Sequence, residues 1–222
     1  MEAIIPAAGS AIRMRGLPKF LLPCDTNYQT LLEKHIDGLL KLCQTVWIPI
    51  RPEYTFLLES LGVLNKRVVI LPMVTGSMTE TVLEVLKIST EKYFHLAMPD
   101  TYFEGESPYS KLSFEPPLAD VACWKIRPEQ KGKLGQVNVI NSRILDIVDK
   151  DPSCKFDYSW GSLTFGRGLL DYATTKDPHI GFALKNALEN GEFISAKIID
   201  GNYFDCGTPI EYINMVKEVM TF

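Results

Sequence analysis

At 222 residues the chain can bury a substantial core in one sizeable domain. Its 27 acidic and 23 basic side chains, with the cations spread out rather than massed in a stripe, argue against nucleic acid as a partner. The five cysteines lie far apart with no CxxC spacing, so neither a zinc ribbon nor a disulfide framework is expected, and a reducing cytoplasm suits the chain. There is no run of 18 apolar residues, and no basic-then-apolar amino terminus of the signal-peptide kind, so no membrane partner is expected.

In chain order, the first element is a short apolar strand over Ala3 to Pro6, followed at once by a loop containing Gly9. Val46 to Ile50, Val68 to Leu71 and Phe94 to Met98 read the same way, as short, mostly apolar and partly β-branched runs suited to strands covered on both faces. Helical patterns lie between them. Residues 31 to 43 place Leu31, Leu32, Ile36, Leu39, Leu40 and Cys43 on one stripe behind a Thr30-x-x-Glu33 capping box. Pro52 to Leu61, closed by Gly62, is a further helix candidate, and Ser77-x-x-Glu80 starts another that runs to about Leu86. After Glu104 to Pro117, which is rich in turn residues, the pattern changes to strands at 119 to 126, 135 to 140 and 144 to 149. Asn141 and Ser142 turn the last two into a hairpin. Thr208-x-x-Glu211, with Pro209 at the first helical position, opens the final helix. This order predicts a parallel α/β half followed by a more antiparallel half.

The loop after the first strand is where an open α/β sheet holds phosphates, because backbone N–H groups there can approach closely. The stretch PAAGSAIRMRGLPKFLLP lacks the second and third glycines of the dinucleotide fingerprint and the Gly-Lys-Ser/Thr ending of a Walker loop. On these residues alone it is either a phosphate loop or a basic turn. Asp100 could equally start a turn, Asp205 could cap the last helix, and Gly135 and Gly161 could be strand irregularities. His35 and His95 read as packed histidines and His179 as a neighbour of a helix cap. Trp47, Trp124 and Trp160 read as core.

PAAGSAIRM followed by LPKFLLP resembles the signature of the sugar-1-phosphate nucleotidyltransferases, the nucleoside-diphosphate-sugar pyrophosphorylases, of the glucose-1-phosphate thymidylyltransferase type. Three later segments match in order: Thr75-Gly76-Ser77, FHLAMPD ending at Asp100, and YFDCGTP over Tyr203 to Pro209. The resemblance covers nearly the whole chain. It implies a Rossmann-like three-layer fold of the glycosyltransferase-A type with a mixed, mainly parallel central sheet. That fold would form one domain, with residues 1–105 holding the nucleotide and 106–222 the sugar phosphate.

The same resemblance implies the site. Ala8, Gly9, Ser10 and Gly76 would lie against the nucleotide, and Arg13 and Lys19 would be the catalytic cations on its phosphates. Asp100 and Asp205 would hold Mg²⁺. Gly135, Asp149, Lys150 and Gly161 would receive the sugar phosphate, with Lys150 on the phosphate and Asp149 on hydroxyls. Ala11 and Ile12 replace the family's Gly and Thr, Asp149 is one methylene shorter than the usual Glu, and residues 71 to 74 lack the glutamine some members place on the base.

The implied reaction joins a nucleoside triphosphate and a sugar 1-phosphate with release of pyrophosphate. Two other readings stay open: a cytidylyltransferase acting on a non-sugar alcohol phosphate, and a nucleotide-binding or sensor protein without chemistry. A glycosyltransferase is disfavoured, because Asp100-Thr101-Tyr102 is not Asp-x-Asp. No left-handed β-helix pattern is present, so a bifunctional enzyme is not expected. Base, acceptor and homo-oligomerisation are left open.

Overall fold

The structure is a computed structural model that describes residues 1–9, 14–60 and 65–220. Four strands, β1 (Glu2–Ile4), β2 (Thr45–Ile50), β3 (Val68–Pro72) and β4 (Tyr93–Ala97), pair in parallel in the order β3-β2-β1-β4. They alternate with α1 (Leu31–Leu39), α2 (Thr55–Ser60) and α3 (Met78–Ile88). The pleat sends successive side chains to opposite faces. Ile4, Phe94 and Leu96 enter a core with Val82, Val85 and Leu86 of α3, whereas Ala3, Ile5 and Val46 enter another with Leu32, Ile36 and Leu39 of α1. Helices therefore cover both faces of the sheet, giving the three expected layers.

The sheet continues beyond β4 through β9 (Tyr158–Gly166), β6 (Ala119–Lys125), β10 (Ile194–Ile198), β8 (Arg143–Asp149) and β7 (Gly135–Ile140). Every pairing past β4 is antiparallel except β6 with β10, so the sheet is mixed and its parallel character belongs to the amino-terminal half. Asn141 and Ser142, both at positive φ (50° and 59°), form the two-residue turn of the β7–β8 hairpin. Between β9 and β10, α4 (Gly181–Glu189) packs Ala183, Leu184 and Ala187 into the same core as α3. No described helix is long and apolar enough to cross a membrane.

The helix starts follow local chemistry. Thr30 accepts from the Glu33 N–H while Glu33 accepts from Thr30, completing the box. Ser77 and Thr208 cap α3 and α5 (Pro209–Val219) through the N–H groups of Glu80 and Glu211. The expected helix over 52 to 61 begins instead as a tight turn at Pro52–Tyr54, and Leu61 and Gly62 lie outside the described residues.

Two strands without a pattern of their own matter most for the site. β5 (Thr101–Phe103) and β11 (Tyr203–Asp205) form a separate antiparallel ribbon in which Asp205 faces Thr101. The Cys206 N–H donates to the Asp100 carbonyl at 2.8 Å, extending that ladder by one rung.

Candidate active site

The strand order reverses between β1 and β4, and at such a switch point the chains leave the sheet in opposite directions and open a crevice at the strands' carboxyl ends. Two cavities occupy it. One, of ≈ 340 Å³, is lined by Ala7, Gly9, Lys19, Tyr54, Gly76 and Asp100 among others. The second, of ≈ 350 Å³, is lined by Asp100, Gly135, Asp149, Lys150, Trp160 and Asp205 among others. Met78, Met98 and Asp100 belong to both walls, so the cavities adjoin.

Asp100, directly after β4, stands at this junction. The β5–β11 ribbon brings Asp205 beside it, although the two are far apart in the chain. Burial, and then the charge of Asp100, push the Asp205 carboxyl up from 3.8 to about 7, and the Gly207 N–H that donates to it only partly offsets this. Lys19 lies 2.9 Å from Asp100 Oδ2 with its side chain 14 % exposed. Two crowded carboxylates are a donor set that suits a hard divalent cation, whose charge would relieve their repulsion. Among the described residues no group of three or more His, Cys, Asp or Glu assembles, so such an ion would draw its other ligands from phosphates and water, as Mg²⁺ commonly does.

Of the residues expected on the nucleotide side, Gly9 and Gly76 line the first cavity. Ala8 is buried and does not line it, and Ser10 and Arg13 lie outside the described residues, as do Ala11 and Ile12. The Gly76 N–H is engaged by Glu80 at 2.5 Å, an arrangement that braces the turn into α3. Gly135, Asp149 and Lys150 line the second cavity together. Lys150 adopts positive φ (51°), which turns the chain at the end of β8.

Gly161 does not line either cavity. It sits under the stacked rings of Trp124 and Tyr203, where a Cβ would collide with both, so its missing side chain makes room for packing. At Gly135 a Cβ would collide with Trp160 Nε1. His35 and His95 are buried as expected, as is Trp124, whereas Trp160 also walls the second cavity.

Sequence reasoning missed three polar side chains in the walls. Arg51, at the end of β2, lines the first cavity. Lys133, two residues before Gly135, adds a second cation to the wall of the second cavity. His179 places Nε2 3.4 Å from Asp149 Oδ2, and this contact holds the Asp149 carboxyl below its ordinary value. Proximity to Gly135 was a usable signal for Lys133; His179 showed only as a neighbour of a helix start.

The fold is the three-layer, mixed-sheet α/β fold shared by sugar-phosphate nucleotidyltransferases. It is similar to a UDP-glucose pyrophosphorylase complexed with UDP-glucose, with a TM-score of 0.78 and 16 % identity over 98 % of this chain and 97 % of that one. A putative glucose-1-phosphate thymidylyltransferase from Bacillus anthracis superposes with a TM-score of 0.78, 18 % identity and coverage of 100 % and 96 %. An inositol-1-phosphate CTP transferase from T. maritima gives 0.78, 17 %, 100 % and 98 %. No protein-family model and no curated protein matches the sequence.

Proposed function

We propose that the chain is a single-domain, Mg²⁺-dependent nucleotidyltransferase that couples a nucleoside triphosphate to a sugar 1-phosphate. The observation that carries this reading is Asp100 at the junction of two adjoining cavities with Asp205 beside it in the wall of the second, the first cavity lying beside a strand-end loop and the second containing Lys133 and Lys150. An acceptor phosphate oxygen forms a bond to the α-phosphorus while the bond from that phosphorus to the oxygen bridging to the β-phosphate breaks. Pyrophosphate leaves with that electron pair.

The nucleophile is already an anion, so no general base is required, and the protein's work is to hold two mutually repelling anions in line. When bound at Asp100 and Asp205, Mg²⁺ supplies positive charge to the phosphate oxygens. Lys19 and Arg13 neutralise the nucleotide phosphates, Gly9 and Gly76 admit the nucleotide closely, and Lys150 and Lys133 draw in the acceptor phosphate. Five unpaired cysteines suit a reducing compartment such as the cytoplasm.

The likeness to the inositol-1-phosphate CTP transferase supports a second reading, a cytidylyl transfer to an alcohol phosphate that is not a sugar 1-phosphate. A screen of triphosphates against phosphorylated acceptors, reading pyrophosphate release with Mg²⁺, separates the two. Asp100→Ala and Asp205→Ala are each expected to lower kcat on the order of a thousandfold, since a bound metal contributes several kcal/mol at the transition state. Full activity in either variant, or no turnover in the wild type with any pair, rejects the proposal.

A further inference from the structure

His179 lies just before α4 and makes a set of contacts that a mere cap neighbour does not need. Its Nδ1 accepts the Gly181 N–H at 3.2 Å. A ring nitrogen that accepts has no proton, so in the neutral imidazole the proton sits on Nε2, the atom 3.4 Å from Asp149 Oδ2. The ring is held by Phe182 and Trp160, with centroids 5.0 and 6.0 Å away.

Gly181 makes this arrangement possible. A Cβ there would lie 2.9 Å from both His179 Nδ1 and Trp160 Cζ2, so any side chain would press the imidazole and the indole apart. Asp149, Trp160 and His179 all line the second cavity. Asp149, at the end of β8 and with a third of its side chain exposed, has no hydrogen-bonding partner among the described residues to fix its rotamer, and His179 is the polar side chain that approaches its carboxylate.

We propose that His179 is a positioning residue for the acceptor: its Nε2–H donates to Asp149 Oδ2 and leaves Oδ1 to accept one hydroxyl of the phosphorylated acceptor. This rests on the nucleotidyltransferase reading above. A carboxylate with one oxygen occupied takes a single alcohol O–H rather than chelating two neighbouring hydroxyls, so the site selects for one hydroxyl at a fixed distance from the acceptor phosphate. The 3.4 Å separation shortens when the acceptor draws Asp149 into place, as such bonds commonly do in the complex.

Steady-state kinetics of pyrophosphate release test it. His179→Ala and Gly181→Ala are expected to raise the acceptor KM about tenfold, the scale of one hydrogen bond to a charged group, with kcat and the nucleotide KM within about twofold of wild type. His179→Gln, whose amide N–H can reach Asp149, is expected to recover most of the loss. In an Asp149→Ala background, His179→Ala is expected to cost nothing further. An unchanged acceptor KM in His179→Ala, equal losses for both substrates, or additivity with Asp149→Ala overturns this proposal while leaving the nucleotidyltransferase reading intact. No pyrophosphate from the wild type with any substrate pair overturns both.

Discussion

Asp205, the proposed partner of Asp100 in holding a metal, carries its charge at a cost to the fold. Burial and then the neighbouring Asp100 raise its carboxyl to about 7, above the 3.8 of an exposed chain. The folded, metal-free protein therefore holds that proton more tightly than the unfolded chain. Its contribution to stability is full below about pH 4 and is lost as the pH rises through 7. Asp205→Asn removes the charge but keeps the shape. In the absence of divalent cation at pH 8 it is expected to raise Tm by roughly 2–4 °C, the effect of about 1 kcal/mol in a chain of this size after allowance for solvent screening, while abolishing turnover. A lower Tm in thermal denaturation would show that the carboxylates are not in conflict. Asp100, Asp205 and Lys150 were legible in the sequence because each belongs to a short, ordered motif. His179 was not, because its place in the cavity wall depends on meeting Asp149 of β8, far away in the chain, whereas Lys133 had a signal only in its nearness to Gly135.

At the scale of elements, the capping signals were legible because they act within four residues: Thr30, Ser77 and Thr208 all cap as their spacing implied. The other end of α3 is held by a contact no spacing reveals. Arg167, just after β9, donates to the carbonyls of Leu86, Ser89 and Glu91 and lies over the Phe94 ring at 5.5 Å. A cation there satisfies carbonyls that the last helical turn leaves unpaired and complements the helix dipole. Arg167→Ala is expected to cost about 2 kcal/mol, read as a lower urea midpoint, because three part-buried carbonyls lose a charged donor at once. Arg167→Lys is expected to recover only part of this, since an ammonium cannot reproduce the planar fork. An unchanged midpoint in Arg167→Ala would remove the clamp from the account. The strands β5 and β11 escaped the sequence for a related reason: three residues carry no periodicity, and each becomes a strand only because the other lies beside it.

For the molecule as a whole, two buried histidines make stability fall as the solution is acidified. Burial lowers both His35 and His95 from 6.5 to about 4. His35 is further committed to the neutral form because Nδ1 accepts from the Tyr109 hydroxyl at 2.5 Å while Nε2 donates to the Thr101 carbonyl at 2.9 Å. The unfolded chain binds these protons more readily. The stability they contribute is therefore complete above pH 6.5 and lost as the pH falls toward 4, by about 2 kcal/mol each at pH 5. Asp205 titrates in the opposite sense, so the measurement belongs in Asp205→Asn. Denaturant midpoints there are expected to drop steeply between pH 7 and pH 5, and less steeply once His95→Gln is added. A flat profile would mean that neither histidine stays neutral in the fold.

By itself the sequence determined the four parallel strands of the amino-terminal half and the helices α1 and α3 between them, the caps, the hairpin at Asn141 and Ser142, and the order of motifs carrying Asp100, Lys150 and Asp205. All of these depend on neighbours within a few residues or on recognisable short strings. Only the tertiary structure decided that Asp100 and Asp205 share one cavity wall, that Gly161 packs under Tyr203, and that His179 meets Asp149. Those facts depend on pairings between residues distant in the chain, which local propensity does not encode and which arise only when the sheet and its two helical layers close around their cores.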